Sequence, residues 1–186
     1  MSTRPARLAV LGALLVLRSA SAEPVDPGLR SRVEGLLGAY RAVTVAEWQA
    51  LGPDAAPLLE AVARDGQALP TRRARALAAL GVLRPAAAAP LVRQLATDST
   101  VPATLRAAAL DVAPGALGAD APGFLVPFLR DGEARVRRHS AEALAASGAA
   151  GCRVLLAEVR TRLASDPVVG AAATCASHEA GSSSGR

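Results

Sequence analysis

The decapeptide PLLEAVARDG at residues 57–66 recurs in altered form as PLVRQLATDS at residues 90–99 and as GFLVPFLRDG at residues 123–132. The aspartates that close these segments, Asp65, Asp98 and Asp131, are separated by 33 positions twice in succession. A repeat of that length is typical of stacked supersecondary units, each too small to bury its own apolar face. The recurrence therefore predicts an array of repeated units, and it favours binding over catalysis as the function.

Apolar residues hold fixed places ahead of each repeated aspartate. Three positions before it stand Val62, Leu95 and Phe128, and seven positions before it stand Leu58, Leu91 and Phe124. Residues spaced by four share one face of a helix. A fourth copy ends two residues late at Asp166, with Leu163 and Val159 in these places. We therefore expect one buried stripe on the second helix of each pair, shared between neighbouring units.

Helix signals are frequent and strand signals are nearly absent. Thr44 and Glu47 have the spacing of a capping box. Asp26-Pro27 and Asp166-Pro167 each combine an N-cap carboxylate with a proline at the first helical position, and Asp54 can cap another helix. Turns are expected at Pro114-Gly115, Asp131-Gly132 and Gly148, and a kink at Pro127. The predicted helices cover residues 28–41, 45–51, 54–64, 71–81, 86–97, 102–113, 120–130, 134–147, 150–164 and 167–178.

The predicted fold is all-α, a short right-handed α-solenoid of about four antiparallel helix pairs plus a final helix. The predicted organisation is a signal peptide at 1–22, an N-terminal capping helix at 23–42, a repeat array at 43–179 and a flexible tail at 180–186.

The N-terminus has the pattern of a secretory signal peptide. Arg4 and Arg7 precede a ten-residue apolar segment at 8–17, and Ala20-Ser21-Ala22 supplies an A-x-A cleavage site. We expect cleavage after Ala22 and a periplasmic or secreted mature protein without stable membrane insertion. An uncleaved N-terminal anchor is the alternative.

The charge composition argues against nucleic acid as the partner. All 21 basic residues are arginine, and removal of the signal segment leaves 18 of them against 16 acids, a net charge of +2. A nucleic-acid-binding domain usually has a larger and clustered basic excess.

The first helices carry a resemblance to a known family. Asp131 is followed by Val136-Arg137, Ala141 and Leu144, which resembles the turn and first helix of a HEAT-like repeat. The earlier copies place Leu105-Arg106 after Asp98 and Arg72-Arg73 after Asp65, with loops two residues longer. The resemblance covers roughly residues 43–178. It implies a structural ladder along the turns, formed by Asp65, Asp98, Asp131, Arg73, Arg106 and Arg137.

The same resemblance implies a binding surface and a function. In HEAT-like arrays the second helices line the concave face, where this chain would present Glu60, Arg64, Arg93, Arg130 and Arg162. A mildly basic groove there would suit another protein or peptide with acidic character, although these charges also fit an ordinary solvated face. The expected function is that of a non-enzymatic, exported protein-binding scaffold without a cofactor. The alternatives are a lyase-like, tetrapyrrole-handling enzyme, as in the phycobilisome lyase class, and a nucleic-acid-binding HEAT-like protein.

Few residues suggest chemistry. His139 and His178 have no partners at a known metal-ligand spacing, and we expect both to be structural. Cys152 and Cys175 flank the turn at 165–166 at similar distances, so antiparallel helices would bring them within disulfide reach. Two free buried thiols are the alternative. Trp48 and Tyr40 either close the first repeat or anchor a partner.

Overall fold

The computed structural model describes residues 26–163 together with Asp166 and Cys175. This part of the chain is all-helical and contains no strand, which confirms the all-α prediction. The predicted signal peptide, the predicted final helix at 167–178 apart from Cys175, and the tail lie outside the described residues, as do His178 and the side chain of Arg162.

The helices have the following bounds: α1 Pro27–Gly38, α2 Val45–Gln49, α3 Ala56–Arg64, α4 Pro70–Leu83, α5 Pro85–Thr97, α6 Ala103–Leu117, α7 Ala121–Leu125, α8 Ala134–Ala146 and α9 Gly148–Glu158. Short 3₁₀ segments at Pro53–Ala55, Gly118–Asp120 and Val126–Arg130 adjoin α3 and α7, and a π-helical turn at Val159–Leu163 extends α9. The 3₁₀ segment Val126–Arg130 contains Pro127, where the sequence predicted a kink.

Two of the predicted helix caps are present. The Asp26 side chain accepts hydrogen bonds from the amides of Gly28 and Leu29 at 3.0 and 3.2 Å. Thr44 and Glu47 form the complete capping box, and hydrogen bonds from Arg41 and then from Thr44 lower the pKa of Glu47 to about 2. The prediction for Asp54 is wrong, because this residue lies inside the 3₁₀ turn Pro53–Ala55 and makes no capping bond.

The prediction of a turn at Pro114-Gly115 is also wrong. Helix α6 continues through both residues and ends at Leu117, where the amide of Gly118 donates to the carbonyl of Pro114. Proline costs one backbone hydrogen bond within a helix. Burial of α6 between its neighbours outweighs that cost, since Leu110 and Ala113 are fully buried. The chain turns at Gly118 instead, whose φ of 54° favours glycine.

Most helices that follow one another along the chain pack together, and helices of neighbouring pairs are also in contact. Helix α3 contacts α4, while α5 and α7 each contact the first helices on either side of them, α4 and α6 for α5 and α6 and α8 for α7. The first helices α4, α6 and α8 stack directly on one another. Helix α1 covers the N-terminal end through Leu29, Val33 and Leu37, which are buried against the same continuous core.

Some of these crossings are close enough to require glycine. A Cβ at Gly151 in α9 would lie 2.1 Å from the carbonyl oxygen of Leu144 in α8. A Cβ at Gly81 in α4 would lie 2.6 Å from Val112 in α6. The backbone of α9 therefore packs against α8 at a distance that excludes any side chain.

The helical run Ala103–Arg130 has 28 residues and contains an 18-residue window with a mean hydropathy of 1.3, so length and composition alone would let it cross a membrane. The backbone reverses at Gly118, and α7 packs back against α6. Helix α6 alone has 15 residues, and it rises about 22 Å against the ~30 Å of a hydrocarbon core. The run is therefore a helical hairpin within the stack.

The most deeply buried stripe of the second helices lies one residue later than the sequence predicted. It occupies the positions ten, six and two before each repeated aspartate: Ala55, Leu59 and Ala63, then Ala88, Val92 and Ala96, then Ala121, Leu125 and Leu129, all fully buried. Of the predicted stripe, Leu91, Leu95 and Phe128 are buried, whereas Leu58, Val62 and Phe124 are only partly buried at its edge. The sequence prediction relied on large apolar side chains, whereas alanines occupy many of the fully buried positions.

We therefore predict unequal losses of stability when two neighbouring leucines are replaced by alanine. Leu59→Ala should lower the free energy of unfolding by about 3 kcal/mol, because a fully buried side chain leaves a cavity. Leu58→Ala, the control of identical chemistry, should cost less than about 1 kcal/mol. Urea denaturation followed by circular dichroism measures both, and equal losses would contradict the assigned stripe.

Candidate functional site

The repeated aspartates occupy equivalent turns between helix pairs. Asp65 accepts a hydrogen bond from the amide of Gln67 at 2.8 Å, Asp98 from that of Thr100 at 2.9 Å, and Asp131 from that of Glu133 at 2.9 Å. This Asx-type bond to the amide two residues on stabilises a turn between helices. Each of these three side chains therefore stabilises its own turn.

The arginines of the predicted ladder differ in their partners. Arg73 and Arg106 donate through Nε to the carbonyls of Ala63 and Ala96, at 3.0 and 3.2 Å, so this contact repeats after 33 residues. Arg106, only 8% exposed, also forms a two-pronged ion pair with Asp131. No described carboxylate lies within ion-pair distance of Arg73.

The Arg106–Asp131 pair joins α6 to the turn that precedes α8. Burial would by itself raise the pKa of Asp131, but hydrogen bonds from Arg106 and from the Glu133 amide outweigh it and lower the pKa. The next arginine, Arg137, donates through Nε to Asp166 at 3.0 Å. Ion pairs thus link successive turns towards the C-terminal end.

Replacing Arg106 and Arg73 should show how much the ion pair and the hydrogen bond to a carbonyl each contribute to stability. Arg106→Met should destabilise the fold by about 3 kcal/mol, because it leaves the Asp131 carboxylate without its partner in a largely buried place. Arg73→Met, the equivalent position one repeat earlier, should cost about 1 kcal/mol, the worth of one hydrogen bond to a carbonyl. Chemical denaturation of both variants measures the difference; a larger loss in the Arg73 variant would refute the assignment.

The second-helix face, comprising Glu60, Arg64, Arg93 and Arg130 with their neighbours, has paired charges. Arg64 contacts Glu60 at 2.9 Å and Gln94 of the following pair at 3.2 Å. Arg93 lies 3.7 Å from Asp120 and covers the ring of Phe124, with Cζ 5.3 Å from its centroid. Arg130 pairs with Glu158. The described part of this face therefore presents neutralised pairs that connect adjacent units, and it provides little unpaired positive charge for an acidic partner.

The two aromatic residues near the N-terminus have different environments. Trp48 is buried in the core, whereas Tyr40 is fully exposed. Tyr40 and the exposed Leu69 line one depression, the edge depression, together with Leu37, Thr71, Arg72 and Arg75. Arg72 pairs with Glu34, and Arg75 donates to the carbonyls of Leu37 and Ala39 at 2.8 and 2.6 Å. These bonds attach the arginines that line the depression to the C-terminal part of α1.

One cluster of titratable side chains escaped the sequence analysis. His139 on α8 lies with Nδ1 2.7 Å from Asp111 on α6 and 3.9 Å from Glu142 one turn further along α8. Burial raises the pKa of Asp111, and the hydrogen bond with His139 offsets only part of that effect. The H-x-x-E spacing of His139 and Glu142 was visible in the sequence. Asp111, which is 28 residues earlier, joins them only because α6 and α8 stack.

The two cysteines lie at disulfide distance. Cys152 on α9 and Cys175 have their Sγ atoms 2.07 Å apart and their Cα atoms 5.4 Å apart. Both are buried, so the link attaches the chain around Cys175 to the last described helix pair. Such a pair fits an oxidising compartment.

The disulfide makes a quantitative prediction. The oxidised, denatured protein should contain no reactive thiol, and two should appear after reduction. Replacing both cysteines by alanine should lower stability by about 3 kcal/mol, because closure of a 23-residue loop restricts the unfolded chain. Thiol titration and urea denaturation provide the two measurements, and two reactive thiols before reduction would contradict the link.

No family model matches this chain, and no curated protein and no solved structure matches it significantly.

Proposed function

We propose that the chain is an exported, non-enzymatic scaffold whose helix pairs form a short HEAT-like α-solenoid that binds another protein. The repeated turn contacts and the direct stacking of α4, α6 and α8 support the arrangement of helices. The apolar segment at 8–17, the A-x-A site before Glu23 and the cysteine pair support export with cleavage after Ala22. Stacked helical repeats generally bind partners over extended surfaces.

The exposed Tyr40 is the observation that carries the proposal. An aromatic side chain in water costs free energy, and tyrosine is enriched among the residues that contribute most to protein–protein binding. Tyr40 lies beside the exposed Leu69, whereas the side chain of Trp48 is buried in the core. The edge depression is therefore a better candidate for the contact surface than the second-helix face with its paired charges.

The chemistry of the depression suggests the kind of partner. Arg75 is bound by two carbonyl oxygens and forms no ion pair with a described carboxylate, so its positive charge is not neutralised. A peptide segment with an apolar side chain for Tyr40 and Leu69 and a carboxylate for Arg75 would fit. Charge-assisted hydrogen bonds of this type are among the stronger ones.

Site-specific crosslinking in the producing cell tests the proposal. A photoreactive residue would replace Tyr40 in one variant, Arg93 on the second-helix face in another, and the exposed Ala146 of α8 in a reference variant. We expect one envelope protein to be captured from Tyr40 and not from Ala146. Its purified form should bind the mature chain, and Tyr40→Ala should weaken the affinity at least about tenfold.

Other outcomes would change the assignment. Capture from Arg93 alone would move the contact to the second-helix face, as the sequence predicted. No specific capture from either position would contradict the scaffold proposal, as would a bilin or haem absorption band on the purified protein. Edman sequencing of the exported form should begin at Glu23, and an uncleaved N-terminus would contradict cleavage after Ala22.

A further inference from the structure

The cluster of Asp111, His139 and Glu142 lies where α6 and α8 pack together. The ring of His139 is only 19% exposed, while the two carboxylates are about half exposed. The imidazole nitrogen and one oxygen of each carboxylate all lie within 4.8 Å of one another. Three potential ligand atoms therefore converge from two helices on one point at the surface.

The fold holds this geometry in place. His139 and Glu142 are three residues apart on α8, so they project from the same side of the helix. The residue after His139, Ser140, is fully buried, and its hydroxyl donates to the Leu125 carbonyl at 2.8 Å, which fixes the rotation of α8 about its axis. The hydrogen bond of 2.7 Å between Asp111 and His139 orients the ring. Little reorganisation is needed to bring the three groups onto a common ligand.

The donor set selects a class of ligand. Imidazole nitrogen and carboxylate oxygen are both ligands of Zn²⁺ and related divalent transition cations, with bonds of about 2.0–2.2 Å. Mg²⁺ and Ca²⁺ prefer oxygen ligands alone. We propose that Asp111, His139 and Glu142 form a binding site for a divalent transition-metal cation such as Zn²⁺, with the remaining coordination positions open to water or to a further ligand.

Binding would change the local hydrogen bonds in a defined way. The metal takes the place of the Nδ1 hydrogen that faces Asp111, and the neutral ring then carries its proton on Nε2. Arg138 lies with Nη2 3.5 Å from Nε2 and with Nε 3.7 Å from Glu142. Its positive charge and its donor groups oppose the metal-bound form. Because this side chain is half exposed, it can turn into solvent, and its removal should favour the metal.

Calorimetric titration of the oxidised, mature protein with Zn²⁺ tests the site, with both cysteines in the disulfide so that no thiol competes. We expect one equivalent to bind and the melting temperature to rise with Zn²⁺ concentration. His139→Gln should weaken binding by at least about tenfold, as should Glu142→Gln, whose exposed side chain is not needed for packing. Arg138→Ala should bind at least as tightly as the parent chain. Mg²⁺ at the same concentration should produce no comparable shift.

The chain contains a matched control. His178 is the only other histidine, so His178→Gln should leave the Zn²⁺ affinity unchanged. Equal affinities in the His139 and His178 variants would overturn the proposal, as would a parent protein that Zn²⁺ does not stabilise. If His139→Gln unfolds, Glu142→Gln decides the question, and unchanged affinity in that variant would refute the site.

Discussion

The direct stacking of the first helices α4, α6 and α8 is the constraint on which the rest of the structure depends. Each of them packs against second helices and against at least one other first helix, and these contact surfaces include small residues. Ala76 and Ala79 on α4 and Ala109 and Ala113 on α6 are fully buried. Close packing of this kind leaves no space for added methyl groups. The absence of a Cβ at Gly81 and Gly151 extends the same close approach to the edges of the stack.

The turns carry out a different task, which is to set how one pair follows the next. In each turn the repeated aspartate holds the backbone, and the arginine after it reaches the end of the preceding second helix or the next turn. The Arg106–Asp131 pair is largely buried, and every buried polar side-chain atom among the described residues has a hydrogen-bond partner. Satisfied polar groups in such places favour one arrangement of the units over others, since a shifted register would leave a charge unpaired.

The distribution of functional groups follows from this division. On the second-helix face, arginines and acids neutralise one another, within α3 for Arg64 and Glu60 and between successive units for the other two pairs. Tyr40 and Leu69 remain exposed beside the C-terminal end of α1. Asp111 of α6 meets His139 and Glu142 of α8 where these two helices pack together. The two proposed binding sites therefore lie at the edge depression and where α6 packs against α8.

The sequence by itself determined most of the helices, their order and the turns at the repeated aspartates, because helix caps, prolines at helix starts and the spacing of apolar residues act locally and the 33-residue recurrence marks each unit. It also placed Cys152 and Cys175 within reach of each other by counting residues along two helices. The sequence placed the most deeply buried stripe one residue too early, because small alanine side chains did not mark it as a core position. It also ended α6 too early, before Pro114. Only the tertiary structure decided that Arg106 pairs with Asp131 while Arg73 has no such partner, that Tyr40 is exposed while Trp48 is buried, and that Asp111 meets His139. These outcomes depend on the distance and rotation between packed helices, which are set by the summed contacts of many side chains and are not encoded at any one position.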